Sequence, residues 1–373
     1  MKNLFYNLYA LFFNLCRKLF PLKNNRVAFV APHNGGNHDS LGIMKKYVEA
    51  LGGYETVSVS TRDLKISGFS SIFKAIGFFI SGAKKLAESR YVFLNDNFMP
   101  MAKLNFSPEA TVIQLWHAEG AFKKFGISAP LPDEIIRREK ACSEKLDHII
   151  CSSRNVAPLY AEAFGTDISK VLPLGSPRVD ELLAECDISS LRKTFDEKHP
   201  ECRGKKLILY APTFREDPEK DSALLSHINA EKFNTELGGE YRLLIKLHPQ
   251  INSASPVKGT TDVTKEDIGM LTHICDMVIT DYSSVCMDFA LLMKPCIFFA
   301  FDLEEYEKER SFYFDYESYV PGKVAKNFDG VIEAIKNPRS SEEKLQSFRE
   351  FNFDYFDCGN AKRIFDAVIS SNS

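Results

Sequence analysis

The sequence is short of the features that mark several protein classes. Its 373 residues include one tryptophan, and Lys plus Arg number 47 against 50 for Asp plus Glu, a formal net charge of -3. Without an excess of positive charge, nucleic acid is not an expected partner. The nine cysteines are odd in number and scattered, with no C-x-x-C pair, and Cys151, Cys275, Cys286 and Cys296 lie in or beside apolar runs. A thiol there serves as a small hydrophobe, which points to a reducing compartment. There is no G-x-x-x-x-G-K-[ST] loop for ATP and no G-x-S-x-G elbow. His33 and His38 in "PHNGGNHDS" have no cysteine partner and no metal-ligand spacing, so zinc is not expected. No apolar run suffices to span a membrane, no small-residue site marks a signal peptide, and no internal repeat stands out.

What is present is enough apolar residue, 45%, for two domains with a core in each. The start of the chain departs from the average. Lys2, Arg17, Lys18, Lys23 and Arg26 all precede the first acid, Asp39, and flank a segment dense in Leu, Phe and Tyr. On a helical wheel Asn3, Asn7, Asn14, Arg17 and Lys18 fall together, while Leu4, Leu8, Leu11, Leu15 and Leu19 centre the opposite, wider face. Residues 1–24 are therefore expected to form an amphipathic helix lying in a membrane interface with its cations toward anionic lipid. A helix packed on its own domain is the alternative reading of the same pattern.

From Arg26 onward, short β-rich runs alternate with helical patterns, the signature of parallel sheets covered by helices. "RVAFVAP", "ETVSVS", "YVFLND", "TVIQLWH", "HIICSS" and "KVLPLG" form one series of strands, and "KKLILYAPTF", "YRLLIKLHP", "MVITDYSS" and "PCIFFAF" a second. Two Rossmann-like domains are expected, at 25–190 and 204–373, with the charged, turn-rich Ser189 to Gly204 as linker. Ligands bind outside the carboxyl ends of such strands, so the residues that follow each strand are the place to look.

Those residues are nearly all polar: His117 and Glu119 after "QLW", Ser176, Arg178 and Asp180 after "LPLG", Thr213 and Arg215 after "LYAP", and His248 after "LIKL". "ITDYSSVCMDF" ends a strand, places Asp281, Tyr282, Ser283 and Ser284 in a loop, and resumes with helical spacing. Ser283 or Ser284 is then the N-cap, and the first amides of that helix favour a phosphate. Capping alone accounts for one serine. Pro249 favours an extended His248, which either donates to a diphosphate, moves a proton, or is a buried structural histidine. Arg215 and Arg178 each suit a phosphate fork; for Arg178 a surface ion pair is the alternative.

The stretches "QLWHAEGAFKKFG", "GSPRVD", "LYAPTFRED", "LLIKLHP", "ITDYSSVCMDFALLMKPCIFF" and "FDLEEYEKERSFYFDY", taken in order, resemble the CDP-glycerol glycerophosphotransferases of teichoic acid and capsule synthesis, with their glycerol-phosphate primases and polymerases and their ribitol-phosphate relatives. The resemblance implies an α/β, GT-B-like pair of Rossmann-like domains facing across a cleft, the first taking the acceptor and the second CDP-glycerol. It implies transfer of glycerol phosphate to a hydroxyl of a polyprenyl-diphosphate-linked saccharide or a growing polymer, with CMP leaving, at the cytoplasmic face of the cell membrane. His117 and His248 match the family's two essential histidines. Arg215, Ser283 and Ser284 match positions that hold the diphosphate, and Asp281 lies near the alditol. Thr213, Glu119, Arg178 and Lys246 complete the expected substrate-binding set, with no metal and no cofactor. Many members have glycine where Ala118 stands, which leaves CDP-ribitol open as the donor. His117 is either the base or a phosphate donor. A nucleotide-sugar glycosyltransferase and a non-catalytic membrane scaffold are the remaining alternatives.

Overall fold

The computed structural model describes residues 2–32, 36–60, 78–215, 217, 221, 224–248 and 257–370; His33, Glu216 and Pro249, which belong to the motifs above, lie outside them. The chain forms two compact units, one of Met1–Leu183 with Asn352–Ser373 and one of Ala184–Phe351.

The first unit holds β1 (Lys23–Ala31), β2 (Glu55–Ser60), β3 (Ser89–Leu94), β4 (Thr111–Gln114), β5 (His148–Ile150) and β6 (Val171–Leu172), with helices α1 (Lys2–Leu19), α2 (Ser40–Leu51), α3 (Ala83–Ala87), α4 (Asp133–Ser143), α5 (Ala157–Phe164) and α6 (Pro177–Leu183). Its strands are parallel in the order β2-β1-β3-β4-β5-β6. The run Arg26–Ala31 is buried throughout, as a central parallel strand covered on both faces requires. Asp39 caps α2 by accepting from the Gly42 amide, and Gly52 ends it at φ 69°.

The second unit holds β7 (Lys206–Tyr210), β8 (Tyr241–Ile245), β9 (Thr261–Asp262), β10 (Met277–Thr280), β11 (Cys296–Phe299) and β12 (Lys323–Ala325). Around them lie α7 (Ile188–Lys198), α8 (Ala230–Glu236), α9 (Ile268–Ile274), α10 (Val285–Leu291), α11 (Leu303–Glu309), α12 (Tyr316–Tyr319), α13 (Phe328–Lys336) and α14 (Glu342–Asn352). The sheet is again parallel, in the order β12-β11-β10-β7-β8-β9. The chain runs outward from β7 to β9, then restarts at β10 on the other side of β7. The loops after β7 and β10 therefore flank a topological switch point, where ligands of such sheets bind.

Two boundaries differ from the sequence reading. The expected linker is largely helix: Asp187 caps α7 by accepting from the Ser190 amide, and the charges there cover a solvated helical face. The second unit ends at Phe351 and not at residue 373. The last helix among the described residues, α15 (Asn360–Val368), packs on α2 and α6, where Ile364, Phe365 and Val368 share one core with Val27, Phe29, Met44 and Phe93.

Helix α1 is fixed to its own unit by a face that neither wheel reading singled out. Tyr9, Phe13 and Cys16, spaced i, i+4, i+7, are buried, with Tyr9 edge-on to Phe98 at 5.4 Å and Phe13 to Phe106 at 5.0 Å. Asn14 donates to the Lys103 carbonyl at 3.3 Å and accepts from the Asn105 amide at 2.9 Å. The leucine stripe faces outward, with Leu4 and Leu11 each 64% exposed and Leu19 65%. Among the described residues no helix is long and apolar enough to cross a membrane.

No disulfide joins any of the nine cysteines, and Cys151, Cys275, Cys286 and Cys296 are buried, as their apolar surroundings suggested. Burial pushes the Cys151 thiol up to about 12, so it is inert as a nucleophile at neutral pH.

Candidate active site

On the second unit, the switch point gathers Thr213, Phe214, Arg215, His248 and the Asp281–Ser284 loop. The His248 ring is exposed and lies against Phe214 at 4.8 Å, which ties the end of β8 to the end of β7. The Thr213 amide donates to Asp281 Oδ1 at 2.8 Å. Among the described residues its buried hydroxyl Oγ1 has no hydrogen-bond partner, an arrangement that costs stability unless a ligand supplies one. Ser284 occupies the N-cap position of α10 but makes no capping bond, and Ser283 Oγ instead accepts from the Val285 amide at 3.3 Å. The Ser284 side chain thus stands exposed on the rim.

Arg215 is turned inward, its side chain 2% exposed. Nε donates to Asp302 Oδ2 at 2.8 Å, and Nη2 donates to Asp302 Oδ1 at 3.0 Å and Asp281 Oδ2 at 2.9 Å. Nη1 donates to the Thr213 carbonyl at 2.7 Å. Burial works against the guanidinium charge, but the Asp281 and Asp302 carboxylates outweigh it and hold the group charged. Tyr282 and Tyr306 cover its faces, each ring centre 5.1 Å away. Tyr282 also donates to Asp302 Oδ1 at 2.9 Å, and Tyr316 donates to the Asp281 carbonyl at 2.9 Å. Arg215 and Asp281, expected on the donor, are therefore the lock that holds the loops after β7, β10 and β11 in register. Lys246 is likewise engaged, donating to the Thr264 carbonyl at 3.0 Å and the Glu266 carbonyl at 2.6 Å, and burial lowers its pKa.

On the first unit, His117 follows β4 with its side chain 50% exposed. Its Nδ1 lies 3.2 Å from the Asn95 carbonyl oxygen and 3.9 Å from Asp96 Oδ1. Trp116 before it has φ 60°, a conformation rare for a bulky residue, and its ring packs on Phe125 at 5.1 Å and on Phe164 at 5.2 Å. Glu119 is buried and accepts from Ser176 Oγ at 2.9 Å and Arg178 Nη1 at 3.3 Å. Ser176 also bonds Ser40 Oγ at 2.9 Å, and Asp180 accepts from the Asn360 and Ala361 amides at 2.9 and 2.8 Å. The residues of "GSPRVD" thus order the His117 loop and clasp α15, and the ion pair of Arg178 is with the buried Glu119 and not at the surface. Sequence reading did not single out Asp302, Tyr306, Asn95 and Asp96 as site residues; Asp302, Asn95 and Asp96 lie at the end of a strand run or just past it, where the strand-end rule applied more fully would have found them.

The family model for CDP-glycerol:poly(glycerophosphate) glycerophosphotransferase matches residues 11–370. A teichoic acid poly(ribitol-phosphate) polymerase of Bacillus spizizenii is 32% identical over 94% of this chain and 57% of its own length. A teichoic acid glycerol-phosphate primase of the same organism is 29% identical over 77% of this chain and 76% of its own. The chain spans 57%, 56% and 52% of three ribitol-phosphate polymerases that it matches. The wall teichoic acid polymerase TagF, soaked with CDPG, shares the fold with a TM-score of 0.80 at 23% identity, over 99% of this chain and 94% of that one, in keeping with the GT-B-like expectation. The chain belongs to the CDP-glycerol:poly(glycerophosphate) glycerophosphotransferase family.

Proposed function

We propose that the protein transfers an alditol phosphate from a CDP-linked alditol to the hydroxyl of a lipid-linked saccharide or growing teichoic acid or capsule polymer, releasing CMP. The observation that carries this reading is the β7–β10 switch point, where a buried Thr213 hydroxyl has no partner among the described residues and His248 and Ser284 are exposed at the neighbouring strand ends. Phosphoryl transfer loads negative charge onto the transferred oxygens and the departing nucleotide, so the site needs preset donors. Thr213, Ser284 and His248 supply them, while Arg215 keeps their loops in place. His117 takes the proton of the attacking hydroxyl as general base.

The chain works as a peripheral protein on the cytoplasmic membrane face, docked through the outward leucines of α1, with Lys18 exposed on the same helix. Glycerol is the donor alditol implied by the family description. Ribitol is the second reading, favoured by 32% identity to the ribitol-phosphate polymerase against 29% to the glycerol-phosphate primase. The test is CMP release from CDP-glycerol, CDP-ribitol and a panel of nucleotide sugars, with a synthetic polyprenyl-diphosphate saccharide as acceptor. Acceptor-dependent CMP from one CDP-alditol is expected. Turnover of a nucleotide sugar alone would replace the reading, and no turnover of any donor would favour a scaffold.

A further inference from the structure

The loop after β3 and the loop after β4 are joined behind His117 by a side chain with no exposed surface. Gln114, 0% exposed, donates through its amide nitrogen to the Asp96 carbonyl at 3.2 Å and accepts from the Trp116 amide at 3.0 Å. This brace holds Trp116 in its left-handed conformation and fixes the distance between the imidazole and the 95–96 backbone. A carbonyl oxygen only accepts, so the contact of His117 Nδ1 with the Asn95 carbonyl at 3.2 Å places the hydrogen on Nδ1. The neutral ring then offers its lone pair at Nε2. The Asp96 carboxylate stands 3.9 Å from the same Nδ1, where it favours the positive charge that appears when Nε2 takes a proton.

We infer that the Asn95 carbonyl, in a loop braced by Gln114, selects Nε2 of His117 as proton acceptor, and that Asp96 is the positioning residue that stabilises the imidazolium formed during turnover. This deepens the proposed function and rests on the base role of His117. Asp96 Oδ1 accepts from the Asn97 amide at 2.7 Å, which holds that carboxylate near the ring, while the neighbouring carboxylates have the following partners. Glu119, in the same loop as His117, is committed to Ser176 and Arg178. Asp39, at the start of α2, accepts from the Asn95 side-chain amide at 3.2 Å. Glu139, on α4, faces Asp96, and burial and the Asp96 charge raise its carboxyl against a hydrogen bond from Asn97.

The test compares wild type with Asp96→Asn, Asp96→Glu, His117→Ala and the double variant His117→Ala with Asp96→Asn. CMP release is measured across about pH 5 to 9, the range in which histidine titrates. The Asp96→Asn change should lower kcat by about tenfold to a hundredfold, with KM for the CDP-alditol moving less than about threefold, part of the ~10²–10⁴ that general acid–base catalysis supplies. Its acidic limb should move to lower pH, because the imidazolium has lost an anion, and Asp96→Glu should restore part of both effects. In the His117→Ala background, Asp96→Asn should add no further loss.

Carbethoxylation of His117 by diethyl pyrocarbonate, followed by peptide mass mapping, reads the same imidazole without substrate. The midpoint of its rate against pH should shift downward in Asp96→Asn. An unmoved midpoint together with unchanged kcat overturns the inference while the base role stands. Turnover retained by His117→Ala overturns the base role itself, with the carbethoxylation shift still reporting the pair.

Discussion

Thr213 and Arg215 sit two positions apart on one loop, and their hydrogen bonds assign them opposite tasks. The buried, unpartnered Thr213 hydroxyl costs the folded protein about 1–3 kcal/mol of desolvation that a bound phosphate oxygen would recover. Thr213→Val should therefore leave the urea midpoint unchanged or raise it, while kcat/KM for the donor falls about tenfold, the loss of roughly one hydrogen bond to a charged group. Arg215 is the reverse case. Arg215→Met would strand Asp281 and Asp302 in the interior, and removing one partner of a buried ion pair costs about 3–5 kcal/mol. The variant should lose stability in urea denaturation as well as activity. From sequence alone, the strand-end rule pointed to His117 in the first unit and to Thr213, Arg215, His248 and the serine loop at the switch point of the second. It did not show which of them had hydrogen bonds to spare, because Asp302 and Tyr306, which occupy Arg215, come from after β11 and from α11 and are joined to it only by the fold.

At the scale of elements, α1 presents three faces where the wheel resolved two. Its polar residues are not all solvated: Asn14 completes the backbone bonding of residues 103 and 105, a contact with no periodic signal. The anchoring and outward faces should respond separately to substitution. Phe13→Ala, in the buried face, should destabilise the first unit by about 3–5 kcal/mol, as such core truncations do. Leu11→Gln with Leu19→Gln, in the exposed stripe, should leave thermal stability unchanged and reduce sedimentation with anionic lipid vesicles. The attachment of α15 was not legible either, since its apolar stripe says that the helix is buried but not against which sheet. Gly175 is the point of closest approach: at φ 89°, an added Cβ would fall 1.7 Å from Asn360 Oδ1. Gly175→Ala should therefore loosen the last helix, seen as faster amide exchange across 360–368 while exchange in the second unit is unchanged.

For the whole molecule, one source of acid sensitivity lies at the start of the first sheet. Arg26 is buried at the start of β1 between Glu88 and Glu55, with the Glu55 contact at 2.7 Å. Burial alone would raise the Glu88 carboxyl, but hydrogen bonds from Lys84 and Arg26 outweigh it and hold it below the ordinary range. A carboxyl depressed in the folded state adds stability that is complete above its unfolded value of about 4.3 and is lost as pH falls through the lower folded one. Urea midpoints should hold near neutrality and drop below about pH 4, and Glu88→Gln should be less stable at neutral pH with a shallower acid decline. The two parallel sheets were readable in advance because both sets of strands are near-continuous apolar runs. Their chain path was not, and it bears on how the protein is made. The segment 184–351 leaves the ribosome in one piece, whereas the first sheet lacks Ile364, Phe365 and Val368 until the last helix emerges. At about 5–20 residues per second, that is a delay of roughly ten seconds or more with an unfinished apolar surface exposed to water. The nascent chain is then a natural client for holding chaperones, and its yield should depend on them more than the stability of the finished protein does.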